Sequence, residues 1–141
     1  MEKVDELKQK DPFMFEQIFE LIPREGEKRE NFEYLDYGNG KKYIGQTLNH
    51  VPEGRGAYYN GELYFIGFYD KGKPNGFFKI FNKDKVILRK GFTNKNYNIY
   101  NGSEYYQVSG EMYKGDFKNG KKHGSGTMFY DNGTFWIGTF K

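Results

Sequence analysis

From about Tyr37 onward, apolar and polar residues alternate in short runs separated by clusters rich in Gly, Asn, Lys and Asp. Within Tyr113-Lys114-Gly115-Asp116-Phe117 the two-residue alternation of a strand puts Tyr113, Gly115 and Phe117 on one face. Gly126-Thr127-Met128-Phe129-Tyr130 reads as the returning strand, and Asp131-Asn132-Gly133 closes it. The polar stretch 118–124 between them predicts the connecting turn. Ahead of this region the period changes. Met14, Phe15, Ile18, Phe19 and Ile22 fall on one stripe of a helix expected over about 12–22. Asp11-Pro12 supplies an N-cap carboxylate and a proline at the first helical position, and Pro23 marks the end. Residues 24–33 are charged and read as a linker, so the chain divides into a non-repeating segment 1–36 and a strand-rich region 37–141.

That region is periodic. The unit aromatic-x-Gly recurs as Tyr43-Ile44-Gly45, Phe65-Ile66-Gly67, Tyr113-Lys114-Gly115 and Trp136-Ile137-Gly138, while Gly91 keeps the glycine without the aromatic. The glycines at 45, 67, 91, 115 and 138 step by 22, 24, 24 and 23 residues. A self-similarity of this length marks a repeat architecture of one supersecondary unit per period. Gly54 and Gly56 follow Gly45 at the offsets by which Gly124 and Gly126 follow Gly115. Asn60-Gly61 and Asn132-Gly133 are strong hairpin-turn signals, because both central positions of that turn take positive φ. The expected unit is a β-hairpin in which a strand glycine leaves a flat patch for a neighbouring aromatic ring.

Residues Tyr113 to Gly133, YKGDFKNGKKHGSGTMFYDNG, resemble a nearly complete MORN (membrane occupation and recognition nexus) repeat, and the periodicity extends that resemblance over roughly Tyr37 to Lys141. The resemblance implies a mainly β fold: an elongated single-layer antiparallel sheet of about four hairpins and a final opening strand, with one short N-terminal helix. It also implies a tethering or assembly role. Several positions depart from the pattern. His50 stands for an early turn glycine, Phe78 for a second turn-exit glycine, Asn96 and Tyr100 for two more, and Asp84-Lys85 for the closing Asn-Gly.

Composition narrows the function. Of 141 residues, 14 are Phe, 13 Tyr and 19 Gly, a mixture that argues against disorder and for short strands with tight turns. The net charge of +3 comes from well-mixed charges and points neither to nucleic acid nor to an anionic surface. With no cysteine, thiolate metal sites and disulfides are excluded, and an intracellular, cytoplasmic setting follows as an expectation.

No catalytic constellation emerges: His50 and His123 are both expected in hairpin loops, and the carboxylates are scattered over turns. The glycines are accounted for by the period rather than by a phosphate loop. The expectation is a non-enzyme without cofactor, metal or small-molecule substrate.

A single-layer sheet has two faces, and here both carry apolar residues. Ile44, Ile66, Phe68, Phe92 and Ile137 occupy the alternate positions of the leading strands. Part of that second face therefore needs cover, from the helix or from a protein partner. The candidate interaction residues are Phe13, Phe15, Ile18, Phe19 and Ile22 on the helix, and Ile66, Phe68 and Phe92 on the sheet. Trp136 and Phe140 join them on the last strand, which is expected to offer an edge. The leading expectation is a scaffolding subunit of a multi-protein assembly, cytoskeletal or ciliary (axonemal) by the family resemblance. The alternatives are binding of anionic lipid headgroups through Lys118, Lys121 and Lys122, or targeting of a partner enzyme.

Overall fold

The computed structural model describes residues 2–25 and 31–141. Two helices, α1 (Glu2–Lys10) and α2 (Pro12–Glu20), precede ten strands. These are β1 (Phe32–Gly38), β2 (Lys41–Leu48), β3 (Val51–Tyr59), β4 (Leu63–Asp70), β5 (Lys73–Asn82), β6 (Ile87–Thr93), β7 (Ile99–Tyr105), β8 (Met112–Lys118), β9 (Lys121–Phe129) and β10 (Phe135–Phe140). All ten form one antiparallel sheet whose spatial order is the chain order, β1 to β10. At about 4.8 Å between neighbouring strands, the sheet extends on the order of 40 Å from β1 to β10.

The N-terminal boundary differs from the sequence expectation in three ways. The sheet begins at Phe32 rather than Tyr37, so the end of the supposed linker is strand; residues 26–30 of that linker lie outside the described residues. Two helices stand where one was expected. The unanticipated α1 is strongly polar and contributes the buried Leu7, too little apolar signal to reveal it. Finally, α2 ends at Glu20, leaving Ile22 beyond the helix. Its start is as read: the Asp11 carboxylate accepts from the Met14 amide at 3.0 Å, and Pro12 opens the first turn.

The hairpins are also tighter than the glycine pattern suggests. β8 and β9 turn at Asn119-Gly120, so 121–124 is strand and His123 sits within β9 instead of a loop. At the missing closing Asn-Gly, Lys85 takes φ +67 and the Asn82 carboxamide accepts from the Asp84 and Val86 amides. The turn survives because an asparagine side chain supplies the hydrogen bonds that fix it.

Strand register explains the period. Gly45, Gly56, Gly67, Phe78, Gly91, Gly102, Gly115, Gly126 and Gly138 are successive cross-strand partners, one row of glycines crossing β2 to β10 and interrupted by Phe78. Rings lie on this row. A Cβ on Gly56 would stand 2.2 Å from Tyr43 Oη, one on Gly126 2.2 Å from Tyr113 Oη, and one on Gly138 2.1 Å from Trp136 Cη2. Register shifts follow Gly45 and Gly115, where a bulge leaves a carbonyl outside the ladder. The Tyr43 hydroxyl donates to the Gln46 carbonyl at 2.6 Å and that of Tyr113 to the Asp116 carbonyl at 2.8 Å. Each ring thereby covers the glycines and satisfies the bulge.

Two hydrophobic clusters result, one on each face. Tyr43, Phe65, Tyr69, Phe78, Ile99 and Tyr113 belong to the ring-covered face. Ile44, Ala57, Ile66, Phe68 and Phe81 pack on the other with Met14 and Ile18 from α2 and Leu21 at its C-cap.

Candidate interaction surface

The position of α2 decides which apolar surface is occupied and which is left. It lies across β2, β3 and β4, while α1 packs on α2 and β1. Met14, Ile18 and Leu21 point into the sheet, and Ile18 and Ile66 are both fully buried in the same cluster. Phe13 stands edge-on to Tyr64 and Phe81, with ring centroids 4.9 and 5.1 Å away.

Polar groups fix this seat. Arg55 on β3 is buried at 3% exposure, and its Nη1 donates to the Ile18 and Leu21 carbonyls, both at 3.3 Å. A cation placed on the last carbonyls of a helix also meets the negative end of its dipole. At the other end, Lys42 reaches the Asp11 carboxylate at 2.9 Å. Past the helix, Arg24 donates to the Asn75 carbonyl at 2.6 Å and lies over the Phe68 ring at 4.3 Å. The helix therefore packs on its own chain.

The expected interaction residues separate into three groups. Phe13, Phe15, Ile18, Ile66 and Phe68 belong to or pack against the cluster that seats α2, so for them the cover comes from the chain's own helix, one of the two sources left open by the sequence. Phe19, Ile22 and Phe92 remain exposed, at 45%, 84% and 48%. Trp136 and Phe140 lie on the opposite face, where their rings meet edge-on at 5.2 Å and Phe140 approaches Tyr113.

The helix-bearing face continues beyond α2 without cover from the described residues. Just past the helix end, Leu21, Ile22, Phe68 and Phe77 line a cavity of about 390 Å³, rimmed by Glu20 and Lys79. Phe77 meets Phe92 edge-on at 6.0 Å. Farther along, one register row carries Tyr105, Met112, Phe129 and Phe135, with Ile137 on the adjacent row. Phe135 is 61% and Ile137 69% exposed. Between these apolar groups stand Lys79, Lys90 and Lys114, in the same-face row that contains Ile66 and Ile137. Phe77, Phe129 and Phe135 were missed as site residues, although their strand parity matches that of Phe92.

The basic loop group has a different character. Lys122 donates to the Tyr106 hydroxyl at 3.1 Å and lies over the Tyr106 and Tyr113 rings, which leaves Lys118 and Lys121 as the solvent-facing pair. His50 pairs with Glu33 at 2.8 Å. No group of three or more His, Asp or Glu among the described residues is placed to hold a metal ion, and no described helix is long and apolar enough to cross a membrane. No curated protein sequence matches the chain. Residues 113–135, which span β8, β9 and the opening of β10, match the family model of the MORN repeat.

Proposed function

We propose that this chain is a non-catalytic scaffolding module that seats an acidic amphipathic helix of a partner protein on the uncovered part of its helix-bearing face. The observation that carries the reading is the abrupt end of α2 over a face that remains apolar. Ile18 on the helix and Ile66 beneath it are fully buried, whereas Phe92, Phe135 and Ile137 on the same sheet face are about half exposed or more. The seat of α2 on this face supports a helix as the occupant, and its own Glu20 approaches Lys79 at 4.0 Å. Lys79, Lys90 and Lys114 continue that basic row, so complementarity favours acidic residues flanking an apolar stripe. The assembly to which the family resemblance points is cytoskeletal or ciliary.

Photo-crosslinking from positions 92 and 137 in the native assembly tests this, with sequencing of the trapped peptide. An acidic amphipathic segment is expected. Trapping of lipid, or of a segment lacking that pattern, would overturn the proposal.

Membrane association through Lys118, Lys121 and Lys122 is the second reading that the repeat match supports. The engagement of Lys122 by two tyrosine rings weighs against it.

A further inference from the structure

The ring-covered face holds a second cavity, of about 340 Å³, walled by Tyr37, Tyr43, Tyr58, Tyr69 and Tyr97 and completed by Pro52 and Gly72. It lies on the opposite side of the sheet from α2 and is independent of the surface proposed above. Tyr43 and Tyr69 are almost fully buried and form the floor, while Tyr37 at 51% exposure stands at the mouth.

The rings are arranged as walls. Tyr43 and Tyr69 meet at 64° with centroids 5.3 Å apart, Tyr37 and Tyr58 at 62° and 6.1 Å, and Tyr69 and Tyr97 at 65° and 6.2 Å. Tyr97 comes from the β6–β7 loop, where the repeat has lost its turn glycines. Its backbone takes φ +64, a conformation uncommon for a bulky residue and one that must be held by its surroundings. Here the Asn94 carboxamide accepts from the Asn96 and Asn98 amides, and the Tyr97 hydroxyl donates to that of Tyr69 at 3.2 Å. The irregular loop thus carries one ring back across three strands to close a cage.

We propose that this cage binds a methylated ammonium group, as carried by a methylated lysine side chain of a partner protein. Tyr37, Tyr58 and Tyr97 keep ring surface at this site above the buried Tyr43 and Tyr69, and the π face of such a ring attracts a cation; none of the lining residues carries a charge. A primary ammonium is strongly hydrated and needs acceptors to replace its water, whereas an alkylated one gives up its hydration more readily. An uncharged, ring-walled site therefore selects the methylated form. The cavity volume lies within the roughly 300–1,000 Å³ of small-ligand pockets.

The test is an NMR titration of the full chain, read at the Gly72 and Tyr97 amides. The ligands are tetramethylammonium, a trimethyllysine peptide, its unmethylated counterpart and a proline-rich peptide, with phosphatidylcholine vesicles in a parallel sedimentation arm. Saturable shifts with tetramethylammonium and the methylated peptide are expected, at least about tenfold tighter than with unmethylated lysine. Tyr97→Ala should abolish them and Tyr97→Phe retain them. Because Tyr97→Ala removes core contacts, Tyr37→Ala at the exposed rim is the second variant. It should weaken binding several-fold at unchanged Tm. Vesicle sedimentation blocked by tetramethylammonium would overturn the lysine assignment in favour of a choline headgroup, and tight peptide binding without sedimentation would support it. Absence of saturable binding by the methylated ligands, equal affinity for the unmethylated peptide, or preference for the proline-rich peptide would overturn the assignment.

Discussion

Gly67 and Phe78 face each other across β4 and β5, and the Phe78 ring fills the space that a Cβ on Gly67 would need, its Cγ 2.4 Å from that position. Over Gly56, Gly126 and Gly138 the covering ring comes from two residues before the leading glycine, from Tyr43, Tyr113 and Trp136. At this step the row supplies its own plug. Phe65, the repeat counterpart of Tyr43, packs instead against Tyr97 at 4.2 Å.

Restoring the repeat pattern with Phe78→Gly is therefore expected to destabilise the protein. Phe78 is fully buried between Tyr69 and Tyr97, with centroids 5.2 and 5.7 Å away. Its removal leaves a cavity at a cost of about 3–5 kcal/mol. A fall in the urea midpoint at unchanged m value is the expected result; a gain in stability would mean that the ring is strained in place.

Ile18→Ala and Ile22→Ala separate the seated part of the N-terminal segment from the free part. Ile18 is fully buried, and truncation there should cost about 2–5 kcal/mol. Ile22 is 84% exposed, and the same change should stay within about 0.5 kcal/mol. Equal effects on the denaturation midpoint would contradict the observed seat of α2.

Alkaline pH should loosen the ring-covered face. Burial raises the hydroxyl pKa values of Tyr43 and Tyr69 well above 10.0 and pushes that of Tyr97 to about 12. Above the ordinary tyrosine pKa the unfolded chain has released protons that the folded state still holds. Stability is thus fully present below about pH 10 and is lost as pH rises through about 12. Urea midpoints measured across that window should fall, and less steeply in Tyr97→Phe. A flat profile would show that these hydroxyls titrate as freely in the folded state as in the unfolded one.

Anionic vesicles should sediment the protein weakly at near-physiological salt. Replacing Lys118, Lys121 and Lys122 with Glu should change that little, because Lys122 is held over Tyr106 and Tyr113. Strong sedimentation abolished by the triple variant would make headgroup binding the function.

What the sequence disclosed follows from what repeats in it. The period of the leading glycines reports the glycine row, and strand alternation assigned Ile44, Ile66, Phe92 and Ile137 correctly to one face. The helix start was legible because Asp11-Pro12 is a local signal. Its docking direction was not, since Arg55, which holds the Ile18 and Leu21 carbonyls, lies more than thirty residues away and looks like an ordinary strand cation. The tyrosine cage was equally hidden. Tyr97 falls where the repeat pattern fails, and its reach across to Tyr58 and Tyr69 depends on a left-handed backbone that no periodicity announces.

The sheet in which spatial order equals chain order also fixes how the molecule can assemble. Each new strand finds its partner in the segment just before it, so closing each hairpin costs little chain entropy and favours rapid folding. Strands can add in turn as the polypeptide leaves the ribosome, without waiting for a distant segment. The long-range clasp is α2, drawn onto β2–β4 as those strands form. Cooperativity in such a quasi-one-dimensional array is transmitted from neighbour to neighbour. The strands nearest the clasp are therefore expected to be the last to exchange their amide protons, with β8 and β9, beyond its reach, opening at lower cost.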